Sequence, residues 1–368
     1  MERHRHLGYQ NSRVFSINRL LNLTTVSLSM ADILAAFSLL QQPRDPFSPV
    51  LRVYPSLRKI VRFCTMRTVT NYDDPQLNDL LNVDPEHPHI HVVDMPYRIT
   101  SIWQDHDCEI GIWERASQVV AWAVFQPAWW NLDFVVHSAL RGSEIEQEIF
   151  AWGKEQMLKY SKRAGEEFWG SVELFEDAPN ATQTIKNLEA VGFAPFDWSI
   201  IRFELDLFQE LPRAQLPGGY KIRPLHGMGE VHTYVDLHRA AFGSEKMTSD
   251  WRTRILRHSA YRSEFDLIVE NSENAPVGFC VCWQRGNVGQ IEPLGVHPDC
   301  QGMGLGGALE ISACQILKSG GVDLIKVDHA SFNEKAIALS LKTGFRRRKE
   351  ARRYYVDVNK QDGDSHAG

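Results

Sequence analysis

The stretch Ile291-Glu292-Pro293-Leu294-Gly295-Val296-His297-Pro298-Asp299-Cys300-Gln301-Gly302-Met303-Gly304-Leu305-Gly306-Gly307-Ala308-Leu309 decides the fold of this chain. It reads as a strand, a turn and a glycine-rich entry into a helix. Gly302, Gly304 and Gly306 remove side chains, so successive backbone N–H groups can close on an anion, and the positive end of the following helix adds its dipole. Turns and helix starts also use glycine with no ligand present, so the loop alone leaves both readings open. The helix presents Leu305, Ala308, Leu309, Ala313, Ile316 and Leu317 at helical spacing, and Gly320-Gly321 stops it.

Moving outward, the segment has a relative within the chain. Val136-His137-Ser138-Ala139-Leu140-Arg141-Gly142 aligns with Val296-His297-Pro298-Asp299-Cys300-Gln301-Gly302 at an offset of 160. Ala121–Phe125 parallels Gly278–Cys282, Leu188–Phe193 parallels Ser340–Phe345, and Met66–Val69 answers Ile222–Leu225. Four blocks in one order imply two copies of one fold. A chain of 368 residues suits two domains of roughly 100–200 residues. The expected division is an N-terminal arm over 1–65 outside the fold, domains over 66–208 and 220–358, a Pro/Gly linker over 209–219, and a tail over 359–368. Each copy reads as strands, helices and a strand–turn–helix unit, which predicts an α/β fold with a mixed central sheet flanked by helices.

With QGMGLG after a strand ending in GVHP, and NEKAIALSLKTGF some thirty residues later, the second copy resembles the GNAT N-acetyltransferase superfamily across nearly all of 220–358. The signature [Q/R]-x-x-G-x-[G/A] is met by Gln301, Gly304 and Gly306. The resemblance implies that the amides of Gln301, Gly302, Met303, Gly304, Leu305, Gly306 and Gly307 hold the pyrophosphate of acetyl-CoA. It implies that the backbone of Leu294, Gly295 and Val296 pairs with the pantetheine arm where two strands splay, and that Asn333 contacts the cofactor; read from the residues alone, Asn333 is a helix N-cap. The two-copy layout resembles tandem acetyltransferases of the mycothiol synthase type.

The resemblance implies acyl transfer from acetyl-CoA to a primary amine by direct attack. An amine near pH 7 must lose a proton first. Glu292 is the candidate base, because residues 292, 294 and 296 share one strand face if no bulge intervenes, and Gln290 shares that parity. Family members often carry a tyrosine as general acid where this chain has Ser340; Ser340 or Tyr354 is a candidate substitute. In the first copy the aligned loop is Arg141-Gly142-Ser143-Glu144-Ile145-Glu146, with two carboxylates where a pyrophosphate would sit. One acetyl-CoA per chain is therefore expected, with the first copy covering the slot and shaping the acceptor site. A CoA-binding sensor without turnover is the alternative.

The formal net charge of −6 gives no support to nucleic-acid binding, although Arg346–Lys349, Arg352 and Arg353 form a local basic patch. Six cysteines at irregular spacing suit reduced thiols in a cytoplasmic protein, and Cys280 and Cys282 suit core packing rather than metal. Leu20–Leu40 is apolar-leaning but interrupted by Asn22, Thr24, Thr25, Ser27, Ser29 and Asp32, so no membrane span is expected. The aromatic cluster Trp113, Trp122, Phe125, Trp129 and Trp130 is expected to serve core and inter-copy packing. The small-molecule acceptor is not encoded in any readable motif; His232, His238 and His258 stand where it would be bound.

Overall fold

A computed structural model describes residues 65–69, 80, 91–101, 109–165, 167–208 and 210–359. Among them run strands β1 (Thr65–Val69), β2 (Ile110–Arg115), β3 (Gln118–Gln126), β4 (Asn131–Val136), β5 (Trp169–Phe175) and β6 (Ala194–Asp206). The second copy gives β7 (Lys221–Pro224), β8 (Asp266–Glu270), β9 (Pro276–Arg285), β10 (Val288–Val296), β11 (Leu324–Ala330) and β12 (Arg346–Asp357). The helices are α1 (Met95–Ile99), α2 (Glu144–Ala164), α3 (Ala181–Ala190), α4 (Val231–Phe242), α5 (Ser249–Arg257), α6 (Leu305–Ser319) and α7 (Glu334–Thr343). The arm predicted over 1–65 lies almost wholly outside the described residues, as does the tail beyond Asn359.

All twelve strands form one mixed sheet in the order β1-β2-β3-β4-β5-β12-β6-β11-β10-β9-β8-β7. Each copy contributes five neighbouring strands, and the sixth strands are exchanged. β12 lies against β5, with Tyr354 opposite Val172, while β6 lies against β11, with Arg202 opposite Asp328. The two exchanged strands pair with each other at the centre. β12 starts at Arg346, at the head of the basic run. Its basic run hides the strand pattern because the cations are met by carboxylates. Arg348 reaches Glu204, Arg352 reaches Glu176 at 3.1 Å, and Arg353 reaches Glu173 at 2.8 Å. The basic patch thus lies on a central strand, and most of its cations stand beside carboxylates.

Helices cover both faces. On one face of the second copy, Leu305, Leu309, Ala313, Cys314 and Leu317 of α6 pack on Cys280, Cys282, Ile291, Ile325 and Phe203. On the other, Val231, Tyr234 and Val235 of α4 and Trp251 and Ile255 of α5 pack on Ile268, Phe279, Val281 and Trp283. Burying each such aliphatic or aromatic side chain contributes about 1.5–3 kcal/mol. Val93 and Tyr97 of the first copy belong to this second core. Trp129 also reaches it, 5.5 Å from Tyr97 and 5.9 Å from Trp251 between ring centres.

Candidate active site

The turn before α6 explains why the two copies differ in chemistry. In both, a histidine ring caps a short 3-10 turn: His137 accepts from the N–H of Ala139, and His297 from that of Asp299. A glycine with positive φ follows in each, Gly142 at 74° and Gly302 at 78°. The second copy then takes another left-handed step at Gly304, φ 86°, which caps α6 without a side chain. A Cβ added at Gly302 or Gly304 meets nothing within 4 Å, so the loop faces open space. The first helix bond, from Ala308 to Gly304, leaves the N–H groups of Leu305, Gly306 and Gly307 without partners in the helix. These donors, with the dipole behind them, suit an anion. Gln301 secures the loop by donating from Nε2 to the Val296 carbonyl at 3.2 Å.

The first copy fills the same place. Glu144, aligned with Gly304, is already helical, so only one left-handed residue remains in the turn. Glu146, aligned with Gly306, is buried and accepts from Thr184 and Asn187, each at 3.1 Å. Burial pushes its pKa up. The Glu146 carboxylate also takes the backbone N–H of Gly142, so a side chain of the protein occupies one of the loop donors that a phosphate would use.

The expected slot exists. β10 and β11 pair in parallel only from Val288 to Gln290, and beyond that they part. His297 gives its N–H to Val277 of the strand on the other side, 2.8 Å away. Alternation along an antiparallel strand then turns the N–H and C=O of Val296 and Leu294 into the gap. Gly295 sits under Phe279, where a Cβ would lie 2.6 Å from the ring. Asn333 caps α7, its Oδ1 accepting from Ala336 at 3.2 Å, near the end of β11 and hence at the mouth of the gap.

Glu292 needs a correction. A bulge intervenes: Ile291 stands opposite Cys282 and Leu294 opposite Cys280, so Glu292 and Pro293 together face one residue. The face reverses there. Leu294 and Val296 turn to α6, lying near the Cβ position of Gly306. Glu292 stays with Gln290 on the α4/α5 face. Trp283 fixes its backbone by donating Nε1–H to the Glu292 carbonyl at 2.8 Å. Its carboxylate accepts no hydrogen bond from a described residue. Burial, with Asp94 and Asp328 adding like charge and His91 and Arg98 opposing it, raises its pKa from 4.5 to about 8.

Tyr354 does not join this site. Its hydroxyl donates to Glu176 at 2.7 Å, and β12 lies three strands from β10, roughly 14 Å at the usual spacing. Ser340 is spent on structure. It donates to Glu310 at 2.9 Å, beside His329 at 2.8 Å, with Thr343 on the other Glu310 oxygen. His238 lies against the Tyr97 hydroxyl at 3.4 Å, and burial, Arg252 and Arg239 lower its pKa to about 3, so it is neutral. His232 meets Ser249 on the surface.

The sequence reading passed over a charged cluster beside Glu292. His91 bridges Asp94 at 3.0 Å and Glu173 at 3.1 Å. Arg98 holds Asp133 at 3.0 and 3.2 Å, and Arg202 holds Asp328 at 2.9 and 2.8 Å, with Gln290 adding a bond to Asp328 at 3.2 Å. Burial and Arg98 oppose charge on His91, yet Asp94 and Glu173 outweigh them and raise its pKa to about 9. The available signal was three polar residues, His91, Asp94 and Arg98, set into the apolar run Val92, Val93, Met95, Tyr97, Ile99. No group of three or more metal-suited side chains occurs among the described residues, nor a helix long and apolar enough to cross a membrane.

Residues 231–345, which include this strand, loop and helix, match the model of the Acetyltransferase (GNAT) family. Among individual proteins, the chain is similar to mycothiol acetyltransferase of Saccharomonospora viridis, 29% identical over 152 residues, covering 37% of this chain and 49% of that protein. Mycothiol acetyltransferase of Beutenbergia cavernae is 31% identical over 139 residues, covering 35% and 46%. The chain thus spans about half the length of these curated relatives. A tandem GNAT protein from the clavulanic acid biosynthesis pathway shares the fold, with TM-score 0.57 and 15% identity over 81% of this chain and 100% of that one. A GCN5-related N-acetyltransferase of Sphaerobacter thermophilus gives TM-score 0.56 and 17% identity over 68% and 80%.

Proposed function

We propose that the chain transfers an acetyl or related acyl group from acetyl-CoA to a primary amine of a small molecule. The observation that carries this reading is the conjunction of an open amide nest at Gly302–Gly307 with a strand gap that begins where the Glu292 bulge lies. The loop amides, with Gln301 and Met303 in the turn, hold the pyrophosphate, and the backbone of Leu294 and the N–H of Val296 guide the pantetheine arm. Asn333 stands at the mouth and contributes a side-chain amide. Glu292 takes a proton from the incoming ammonium group; a carboxylate of pKa about 8 is well matched to that transfer. The free amine then attacks the thioester carbonyl, the C–S bond breaks, and the departing CoA thiolate takes up the second proton, lost from the acylated nitrogen. With thiol pKa values near 8.5, that group departs without a dedicated acid, which accommodates the engagement of Ser340 and Tyr354 elsewhere. The named relatives support a small-molecule acceptor. We also assign one domain each to 66–208 and 220–358, sharing their last strands, in a protein of the cytoplasm.

The test is incubation of the full chain with acetyl-CoA and a panel of primary amines, following thiol release. Release with at least one amine, lost in Glu292→Gln, supports transfer. Tight binding of acetyl-CoA with no release for any amine favours a CoA-binding sensor.

A further inference from the structure

The bulge at Glu292 is held by a side chain. In strict alternation, residues 290, 292, 294 and 296 would share one face of β10. The register with β9 breaks instead. Gln290 stands opposite Trp283, Ile291 opposite Cys282 and Leu294 opposite Cys280, which leaves Glu292 and Pro293 together against Val281. A one-residue slip in a strand turns every later side chain to the other face. The bulge therefore decides that Glu292 keeps to the α4/α5 face while Leu294 and Val296 turn to α6. Pro293 has no N–H to give to β9, and a bulge interrupts the ladder. The Glu292 carbonyl is met there by the indole of Trp283, whose Nε1–H donates to it at 2.8 Å.

We propose that Trp283 is a positioning residue of the transfer reaction: its indole N–H holds the Glu292 bulge, and the first copy holds the indole. The proposal rests on Glu292 being the base. With the donor removed, backbone arrangements that turn this carbonyl elsewhere become competitive. Each carries the Glu292 carboxylate with it, because carbonyl and side chain leave the same Cα. Trp283 thus acts on the base through the backbone, without touching the carboxylate.

The indole is kept in place by a pack of rings drawn from both copies. Trp283 is 1% exposed. Tyr97 lies 6.4 Å from it between ring centres and stacks on Trp251 at 5.3 Å. Trp129 meets Tyr97 and Trp251 in T-shaped contacts at 5.5 and 5.9 Å. Trp251 donates from Nε1 to the Tyr97 carbonyl at 3.4 Å, and Arg254 donates to those of Thr100 and Ser101 at 3.0 and 3.2 Å. Tyr97 and Trp129 belong to the first copy, Trp251 and Trp283 to the second, and the four share one core. The first copy, whose own nest is filled, thus reaches the base of the second through packed rings.

The experiment is a double-mutant cycle on the full chain, with thiol release followed against amine concentration and acetyl-CoA binding measured by calorimetry. Trp283→Phe keeps an aromatic ring and removes the N–H. It should lower kcat about tenfold, the net effect of one hydrogen bond, and leave the Kd for acetyl-CoA unchanged. Glu292→Gln should then cost about tenfold less in the Trp283→Phe background than in the natural chain, because a displaced base contributes less. A residue that only packs the core would lower activity in both backgrounds alike. Equal losses from Glu292→Gln in the two backgrounds, or a natural kcat in Trp283→Phe, overturn the proposal and leave the base in place. No loss from Glu292→Gln in either background overturns the base assignment itself, so the two failures are separable. Should Trp283→Phe fail to fold, benzothienylalanine at position 283, which keeps the bicyclic shape and puts sulfur where the N–H stands, decides by the same cycle.

Discussion

Replacing Glu292 by Gln should make the chain more stable in alkali while removing most of its activity. An unfolded carboxyl titrates near 4.5, and burial raises the folded value to about 8. Below pH 4.5 both states are protonated, and the group contributes nothing that varies. Between 4.5 and 8 the folded state keeps a proton that the unfolded state has released, so stability falls as pH rises, and the loss is complete above the folded value. At 1.36 kcal/mol per unit the full effect is about 5 kcal/mol. Glu292 retains partial solvent contact, which halves the working figure to ~2 kcal/mol. Gln has the same shape and no titration, so urea denaturation should find the variant and the natural chain alike at pH 4 and separated by ~2 kcal/mol at pH 9. Over the same range kcat/KM should drop by about 10²–10⁴, the usual contribution of a general base. A variant no more stable than the natural chain at pH 9 would refute the buried-carboxyl reasoning.

Gly306→Glu copies Glu146 of the first copy into the cradle and should weaken acetyl-CoA binding at least 100-fold by calorimetry, with the melting temperature little changed. Gly304→Ala introduces a left-handed alanine, a cost of about 1–2 kcal/mol, with open space for its methyl group. It should therefore lower thermal stability by that amount and fit no neighbour badly; a larger loss would contradict the open loop. Arg252→Met leaves the Asp266 carboxylate buried without its ion partner and should cost about 3–5 kcal/mol in denaturant titration. A chain ending at Gly344 lacks β12 and bares the edges of β5 and β6, so it should lose cooperative unfolding in calorimetry.

Local features were readable from the sequence because their causes are local. The repeated Val-His and Gly pairs at 136–142 and 296–302 mark one turn geometry, now seen in matching caps and positive φ angles. The glycines missing from Glu144 and Glu146 told of a filled nest before the carboxylate was seen turned inward. Features set by distant contacts were not readable. Nothing in Arg346–Arg353 announces a central strand, because most of the carboxylates that meet its cations come from β5, β6 and the residues after β5. The bulge that turns Glu292 away from Leu294 adds one residue to a strand, and apolar alternation is too coarse to reveal it. His91, Asp94 and Arg98 are scattered polar letters until the fold sets them beside a strand two hundred residues away.

Calorimetric titration of the full chain with acetyl-CoA tests the central claim most directly. One site per chain is predicted, abolished by Gly306→Glu and untouched by Glu144→Ala in the first copy. Two equivalent sites, or a site that survives Gly306→Glu, would contradict the assignment of the cradle to the loop Gln301–Gly306.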